Sequence, residues 1–310
     1  MSGSTAFPRG LRYMAAGAFF FALMSLLVKV AGQRLPTMEV VLARSVVILV
    51  LTWGWLRLRG TSPMGNQRGL LLLRGVLGFV ALSSFYYGVI HLPLADATVI
   101  QYTNPVWTAL LAAAFLAERV GRREVALSLA SLAGVVIMTR PTFLFGGDAP
   151  GLPPLAVTVA LCGAVFSAAA YVTVRRLREE DPMVIVFWFA LVSTVAALPF
   201  VVGNFVVPTA GELVVLLGVG LTTQAGQVFL TLGLREERAG RAMAVAYLQI
   251  VFAALWGLAV FAEVPDRWTL TGAGVIVVCT WLVGRLGPPA EPAPDPPPDP
   301  SREGPPGDPP

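Results

Sequence analysis

The sequence predicts an all-α integral membrane protein with ten transmembrane helices, and three observations support this prediction. Hydrophobic residues make up 56% of the 310 residues and charged residues only 13%, whereas an ordinary soluble domain carries about 25% charged residues. Apolar runs about 20 residues long, the length that crosses a bilayer core, recur from residue 11 to residue 286. Basic residues concentrate in every second loop between these runs.

Each apolar run ends at charged residues or at a turn that contains proline or glycine. The ten predicted spans are residues 11–31, 38–57, 69–90, 94–117, 123–141, 154–174, 184–203, 211–233, 241–262 and 268–286. Arg9 and Arg12 precede the first span, as basic residues precede a signal peptide, but no small-residue cleavage site follows it. We therefore interpret the first span as a retained helix.

The basic residues predict the orientation of the chain. With ten spans, both termini lie on one side of the membrane, together with 17 of the 22 Lys and Arg residues, Arg74 included. The other side has five, which are Lys29, Arg34, Arg44, Arg140 and Arg267. Because basic loops remain in the cytoplasm, we expect cytoplasmic termini on a multi-pass protein of the plasma membrane, which in a bacterium is the inner membrane.

Four segments follow from this pattern. Residues 1–10 are a cytoplasmic N-terminus, residues 11–148 and 149–286 are two units of five spans, and residues 287–310 are a tail with 12 prolines in 24 residues. Proline removes a backbone donor and fixes φ, so we expect a disordered tail that is partly polyproline II. The tail is interpreted as a solvated extension, with a ligand for a proline-recognition domain as the alternative.

The two units resemble each other. A shift of 145 residues aligns residues 75–118 with residues 220–263 without a gap, and ten of these 44 positions are identical, Tyr102 and Tyr247 among them. Each unit holds five spans, an odd number, so the second unit is inserted upside down relative to the first. Inverted repeats are typical of secondary transporters, which expose a central site alternately to each side.

Both units end their fourth span with alanine followed by glutamate, at Glu118 and Glu263. With this feature and the stretch RGVLGFVALSSFYYGVIHLPLADATVIQYTNPVWTALLAAAFLAERV at 74–120, residues 11–286 resemble the EamA-type transporters of the drug/metabolite transporter superfamily. The stretch is similar to the branch that contains S-adenosylmethionine-uptake-like and solute-carrier-35G-like proteins. The resemblance implies a helical bundle whose central cavity is lined mainly by spans 1, 3, 4, 6, 8 and 9.

Arg44 is the most informative charge, because it lies about two turns into the second span. A basic residue at such a depth usually faces a cavity or a partner, so Arg44 is a candidate anchor for an anionic group of the substrate. The alternative is an arginine that extends to the outer interface. Lys29 has the same two interpretations, and its place near the end of the first span favours the second, a structural or gating role.

The fourth and ninth spans carry the predicted polar site. Gln101, Asn104 and Thr108 share one helical face, and Pro105 can free the carbonyl of residue 101 and kink the span. In the ninth span, Gln249 stands where Asn104 stands in the repeat. The other candidates for substrate binding are Tyr86, Tyr102, Tyr171, Gln224, Gln227 and Tyr247, with interhelical packing or hydrogen bonding as the alternative. Glu118 and Glu263 are interpreted as structural, with gating as the alternative.

The sequence also disfavours several functions. No acidic residue lies in the middle of a span, which disfavours efflux of cationic drugs and favours an anionic or zwitterionic substrate. His91 is the one histidine, and Cys162 and Cys279 lie in apolar runs, so we expect no enzyme activity, no metal site and no cofactor. The basic residues form no single patch for nucleic acid.

We therefore expect a membrane carrier for a small organic metabolite, such as an amino acid or S-adenosylmethionine, that works by alternating access. Its partners are the lipid bilayer and the small-molecule substrate, and small residues on the spans permit a homodimer. The alternatives are a multidrug or cation efflux carrier, a channel, and a receptor or scaffold that transports nothing.

Overall fold

The computed structural model describes residues 8–92, 94–118, 121–145, 152–262 and 264–285, so Glu263 and the predicted tail at residues 287–310 lie outside the described residues. Nearly all of the described chain is helical, and no strand occurs in it. Its helices are α1 (Arg9–Ala31), α2 (Thr37–Leu58), α3 (Arg68–His91), α4 (Leu94–Gln101), α5 (Asn104–Leu116), α6 (Arg122–Thr139), α7 (Thr142–Phe145), α8 (Pro154–Arg176), α9 (Pro182–Val201), α10 (Ala210–Glu236), α11 (Ala239–Ala246), α12 (Leu248–Phe261) and α13 (Arg267–Arg285).

Nine of the described helical segments are long and apolar enough to cross a bilayer, and they coincide with nine of the predicted spans. The remaining predicted span, 123–141, coincides with α6, whose 18 residues begin with the charged residues Arg122, Arg123 and Glu124. Because of these charges, α6 is not one of the nine, and the tenth span stays a prediction. α6 packs along α13.

Two of the predicted spans are broken near their middle. The fourth is divided into α4 and α5 at residues 102–103, where Pro105 lacks an N–H and its ring crowds the carbonyl of residue 101. The ninth is divided into α11 and α12 at Tyr247, although this segment has no proline. The sequence predicted a kink only at the first position. The second break lies at the equivalent place in the second predicted repeat.

Consecutive long helices run in opposite directions, so the bundle has two ends. The end where α1 begins and α13 finishes, called the terminal face below, holds the ion pair between Arg9 and Glu236 (3.8 Å). The other end, called the opposite face, holds the ion pair between Arg140 and Asp266 (2.8 Å). Asp266 also accepts the backbone N–H of Thr269 (2.8 Å) and so fixes the first turn of α13.

Close helix contacts recur at the offset of the predicted repeat. Gly75 of α3 lies against α9, where an added Cβ would come within 2.6 Å of Val192 Cγ2. Gly220 of α10 lies against α2, where an added Cβ would collide with Val47. The repeat offset relates Gly75 to Gly220 and Val47 to Val192, so the two contacts are equivalent. Glycine at these positions allows neighbouring helices to approach closely.

Two helices end in the same unusual way. The residue after α5, Ala117, has φ of 51°, and the residue after α12, Ala262, has φ of 54°. An alanine in the left-handed region is uncommon, because its Cβ crowds the backbone, and glycine usually ends a helix in this manner. These two alanines are again equivalent in the predicted repeat, and each precedes a glutamate in the sequence.

The outer surface of the bundle is rich in exposed apolar side chains. Val50, Phe115, Leu155, Val195 and Val214 are each 60–71% exposed. A soluble monomer rarely leaves so many large apolar groups in water. This surface is instead suited to contact with lipid chains.

Candidate functional site

A cavity of about 850 Å³ lies inside the bundle. Its lining comes from α1, α3, α4, α5, α8, α10, α11 and α12, which coincide with predicted spans 1, 3, 4, 6, 8 and 9, and also from Arg44 of α2, Thr139 of α6 and Phe189 of α9. Most lining side chains are apolar and a few are polar, which is the usual composition of a small-molecule site. None of the described lining residues is Asp or Glu.

The cavity brings together residues that are distant in the sequence. Eight of the eleven predicted substrate-binding residues line it: Arg44, Tyr86, Gln101, Tyr102, Asn104, Tyr171, Gln227 and Gln249. Lys29 and Pro105, for which the sequence predicted structural or gating roles, line it as well.

Three predicted substrate-binding residues are not part of this lining. Thr108 is fully buried and donates to the backbone carbonyl of Asn104 (2.8 Å), one turn earlier in α5. Gln224 faces α9, with Nε2 3.6 Å from Met183 Sδ. Tyr247 is fully buried beneath Tyr102. These three side chains pack between helices.

Arg44 is 5% exposed and reaches the cavity from α2. Its Nη1 lies 4.0 Å from Met24 Sδ, and its buried Nε has no hydrogen-bond partner among the described residues. No carboxylate of the described chain lies within 4 Å of the guanidinium group. An arginine that extended to the interface would be exposed, so its burial favours the interpretation in which Arg44 faces a ligand.

Arg74 of α3 is a second buried arginine in the lining, although the loop pattern of the sequence placed it on the cytoplasmic side. It is 3% exposed, and its guanidinium carbon lies 4.4 Å from the centre of the Phe189 ring. Nη2 is 3.4 Å from Oε1 of Gln227, while Nε and Nη1 have no partner in the described structure. Arg74 therefore lines the same cavity as Arg44 with an incompletely paired guanidinium group.

A signal for Arg74 was present in the sequence. The residue lies inside the predicted span 69–90, and an ionisable residue within a span is by default a candidate functional residue. Trp256 of α12 also lines the cavity and was not predicted to do so.

Polar and aromatic groups connect the cavity walls. Nε2 of Gln101 in α4 donates to Oγ of Ser167 in α8 (3.3 Å), and the buried Oε1 of Gln101 has no partner among the described residues. Tyr102 stacks on Tyr247 with ring centroids 6.0 Å apart. Tyr171 adds a further ring to the lining. The walls therefore offer an amide and several aromatic faces to an organic molecule.

The cavity stops short of the terminal face. Among the lining residues nearest to that face along their helices, Met14, Arg74 and Met243 are each 2–3% exposed. At the opposite face, the lining includes the exposed Lys29 at the end of α1. The cavity therefore opens toward the opposite face.

A group of hydrogen bonds, called the terminal network below, closes the terminal face. Glu118, just beyond α5, accepts from Nε of Arg175 in α8 (2.7 Å) and from the backbone N–H of Ala239 at the start of α11 (2.9 Å). Nη1 of Arg175 donates to the carbonyls of Leu234 (3.2 Å) and Arg235 (2.7 Å) in the last turn of α10. The Arg175 cation is favoured at the C-terminus of α10. The network as a whole joins α5 to α8, α10 and α11.

A second set of contacts extends this closure. Arg238, between α10 and α11, forms an ion pair with Glu124 in the first turn of α6. Arg241 of α11 donates from Nη2 to the carbonyl of Val283 in α13 (3.2 Å). Both contacts lie at the terminal face, beneath the floor of the cavity.

The sequence model of the EamA-like transporter family matches residues 8–140 and 154–285, which together are most of the chain. The chain belongs to the EamA-like transporter family. As the family and the helices indicate, it is a multi-pass membrane protein that transports small molecules.

Three relatives have names that specify a transport function or a carrier family. "Pseudopaline exporter CntI" of Pseudomonas aeruginosa (strain UCBPP-PA14) is 34% identical over 89% of this chain and 96% of its own length. "Solute carrier family 35 member G1" of Homo sapiens is 34% identical over 86% of this chain and 76% of its own length. "S-adenosylmethionine uptake transporter" of Rickettsia bellii is 28% identical over 86% of this chain and 92% of its own length.

A solved crystal structure also matches this EamA-like chain. The TM-score is 0.76, with coverage of 88% of this chain and 95% of that one, at 18% sequence identity. A likeness at this identity shows the fold alone.

Proposed function

We propose that this EamA-like protein carries a small organic anion or zwitterion across the plasma membrane by alternating access between two inverted five-helix repeats. The observation that carries the proposal is Arg44, which is buried, faces the cavity and has no carboxylate within 4 Å in the described chain. An uncompensated cation at such a depth is unfavourable, and an acidic group of the substrate would compensate it.

Recurrent contacts support the repeat part of the proposal. The family model matches two separate segments of similar length. The breaks at Tyr102 and Tyr247, the left-handed residues Ala117 and Ala262, and the glycine contacts of α3 and α10 all obey the same repeat offset. With α6 counted as a span, each proposed repeat has five spans, and the second repeat has the opposite orientation in the membrane to the first.

The state of the cavity supports the alternating-access part. The terminal network closes one face while the cavity opens to the other. With both termini in the cytoplasm, as the basic loops favour, this arrangement is the outward-facing state. Transport then requires the terminal network to open and the helices around Lys29 at the opposite face to close.

Relatives support a polar metabolite as the substrate. Their names include an exporter of pseudopaline and an uptake transporter of S-adenosylmethionine, so both directions of transport occur among them. An amino acid, S-adenosylmethionine or a related zwitterion or anion is compatible with a cavity that has cationic and aromatic walls. A cationic drug is a poorer match because the described lining has no acid.

The proposal is tested by counterflow in proteoliposomes that contain the purified full chain. The panel holds S-adenosylmethionine, an aromatic amino acid, an aliphatic amino acid, a dicarboxylate and a cationic dye. Wild type is compared with Arg44→Ala and with the control Arg267→Ala, which removes an exposed arginine at the start of α13.

We expect saturable exchange of at least one anionic or zwitterionic compound in the wild type and in Arg267→Ala, with the exchange lost in Arg44→Ala. Exchange of the dye alone, equal in all three proteins, would overturn the role of Arg44. Absence of saturable exchange for the whole panel would contradict the carrier and favour a receptor or scaffold.

A further inference from the structure

Two buried guanidinium groups belong to the cavity lining, and together they have three buried nitrogens without a hydrogen-bond partner in the described chain. These are Nε of Arg44 and both Nε and Nη1 of Arg74. Buried donors are nearly always paired in proteins, and intramembrane charges mark ligand sites. Two incompletely paired cations in one cavity therefore favour a ligand with acidic groups.

Buried acids of the described chain are engaged elsewhere. Oε2 of Glu39 accepts the N–H of Val206 (3.0 Å), and Oδ2 of Asp96 accepts the hydroxyl of Thr142 (2.5 Å). Neither acid lines the cavity. The chain that the structure describes thus supplies neither arginine with a carboxylate, and the partners must come from the cavity contents.

The two arginines lie at different depths of the bundle. Arg44 lies in the first half of α2, which reaches the terminal face at Leu58, and Arg74 lies in the second turn of α3, which leaves that face at Arg68. At a rise of about 1.5 Å per residue, their Cα atoms are about 21 Å and about 9 Å from that face, or about 12 Å apart along the bundle. The guanidinium groups are separated in the same way, because that of Arg44 lies beside Met24, 15 residues into α1, and that of Arg74 lies over Phe189, seven residues into α9. Both helices begin at the terminal face, so these contacts are about 12 Å apart along the bundle, which is farther than one carboxylate reaches.

The lining between these depths is uncharged and mixes apolar with polar groups. Phe189 lies under the Arg74 guanidinium group, Phe21 adds a second ring, and Gln101 and Gln249 add amides. Such walls accept a carbon skeleton with neutral polar groups and give no partner to a second cation. The cavity therefore offers two cationic ends and an uncharged middle.

We propose that the substrate has two acidic groups joined by a carbon skeleton, one bound by Arg44 and the other by Arg74 at the floor of the cavity. The inference rests on the proposed function and adds to it a second anchor and the charge pattern of the substrate. Arginine suits both positions because its planar fork can donate two hydrogen bonds to one acidic group.

A length series of dicarboxylates tests the inference. Counterflow is measured for straight-chain dicarboxylates from four to ten carbons, for the monomethyl ester of the best of them, and for the zwitterions of the earlier panel. We expect one length to be optimal, and we expect its monomethyl ester, with the same skeleton and one charge fewer, to be exchanged about tenfold less well or worse.

Variants then assign the second charge to its partner. We expect Arg74→Gln to raise the half-saturating concentration of the best dicarboxylate about tenfold or more, while the value for its monomethyl ester changes little, and we expect Arg74→Lys to recover part of the loss. Arg267→Gln is the matched control. Size-exclusion profiles and unfolding temperatures establish that each variant is folded, and Arg74→Lys retains the charge if Arg74→Gln does not fold.

The outcomes separate this inference from the proposed function. The second anchor would be overturned if the protein exchanged a zwitterion or a monoacid, showed no preference for dicarboxylates, and kept the same exchange in folded Arg74→Gln. The proposed carrier would then stand. A dicarboxylate optimum that is indifferent to Arg74 would also overturn it. Absence of exchange for every compound would overturn the proposed function itself.

Discussion

Tyr102 and Tyr247 stack on each other with ring centroids 6.0 Å apart and ring planes 25° apart. They occupy equivalent positions in the two predicted repeats, and each lies at the break of its span. A residue can touch its own repeat counterpart only where a symmetry axis passes between them. The proposed pseudo-two-fold axis therefore runs beside this pair, next to the cavity.

The two tyrosines differ in their surroundings, which gives a first prediction. Tyr102 lines the cavity, whereas Tyr247 is fully buried and its hydroxyl has no partner among the described residues. Removing an unpartnered hydroxyl relieves a desolvation penalty. We expect Tyr247→Phe to keep exchange activity and to match or exceed the unfolding temperature of the wild type.

Truncation of the same residue gives the contrast. We expect Tyr247→Ala to lower the free energy of unfolding by about 3–5 kcal/mol, because it leaves a cavity in the core. Thermal unfolding in detergent, followed by tryptophan fluorescence, measures both variants. A clear loss of stability in Tyr247→Phe would mean that the hydroxyl has a partner.

The glycine contacts give a second prediction. Gly220 lies against Val47, so Gly220→Ala overpacks the contact of α10 with α2, and we expect it to cost about 1–3 kcal/mol. Gly54, also in a helix, has nothing within 4 Å of an added Cβ. We expect Gly54→Ala to leave the unfolding temperature equal or higher, because alanine favours the helix.

A compensating variant checks that the effect is steric. Val47→Ala removes Cγ1 and Cγ2, two of the three atoms that an alanine at 220 would meet, and keeps Cβ. We therefore expect the double variant Val47→Ala, Gly220→Ala to recover part of the unfolding temperature that Gly220→Ala alone loses. Equal stability of Gly220→Ala and Gly54→Ala would show that the close approach of α2 and α10 is unimportant.

The terminal network gives a third prediction, which concerns access to the cavity floor. Glu118 and Arg175 are each 13% exposed, and their ion pair joins α5 to α8. Removing one partner of such a pair leaves the other uncompensated. We expect Glu118→Gln to loosen the terminal face, so that a cysteine introduced as Met14→Cys reacts several-fold faster with a membrane-impermeant maleimide supplied at that face.

The measurement uses a chain without Cys162 and Cys279, in vesicles of known orientation. Asp266→Asn is the control, because it breaks the Arg140–Asp266 ion pair at the opposite face and should leave the labelling from the terminal face unchanged. If Glu118→Gln labels at the rate of the parent, Glu118 only fixes a turn and does not hold the face closed.

Much of the fold could be predicted because a membrane span has a fixed length and a simple composition. The predicted span 154–174 coincides with α8 (Pro154–Arg176), and Pro105 predicted the break before α5. The break at Tyr247 could not be foreseen, since no residue there lacks a backbone donor. The structure instead places the buried Tyr247 against Tyr102, a contact between residues far apart in the sequence.

The site was harder to predict than the fold. Gln224 and Gln227 are one turn apart, yet Gln224 faces Met183 and Gln227 faces Arg74 in the cavity. Spacing along one helix defines a face only to within about 60°, whereas the neighbouring helices decide which part of that face reaches the cavity. Arg74 lies within two turns of the start of its span and close to Arg68, so its sequence position resembles that of a basic residue in a loop, and only the fold shows that it is buried.

The matched contacts of α3 with α9 and of α10 with α2 also have a thermodynamic consequence. In a transporter built from inverted repeats, the inward-facing and outward-facing conformers are related by symmetry. The shape that the first half has in one conformer is the shape that the second half has in the other conformer. If the two units are inverted repeats, as proposed, we expect a substitution at Gly75 and its counterpart at Gly220 to bias the conformational equilibrium in opposite directions. We expect the double substitution to bring the equilibrium back toward its original balance, so that the sidedness of the resting protein would depend on the differences between its halves.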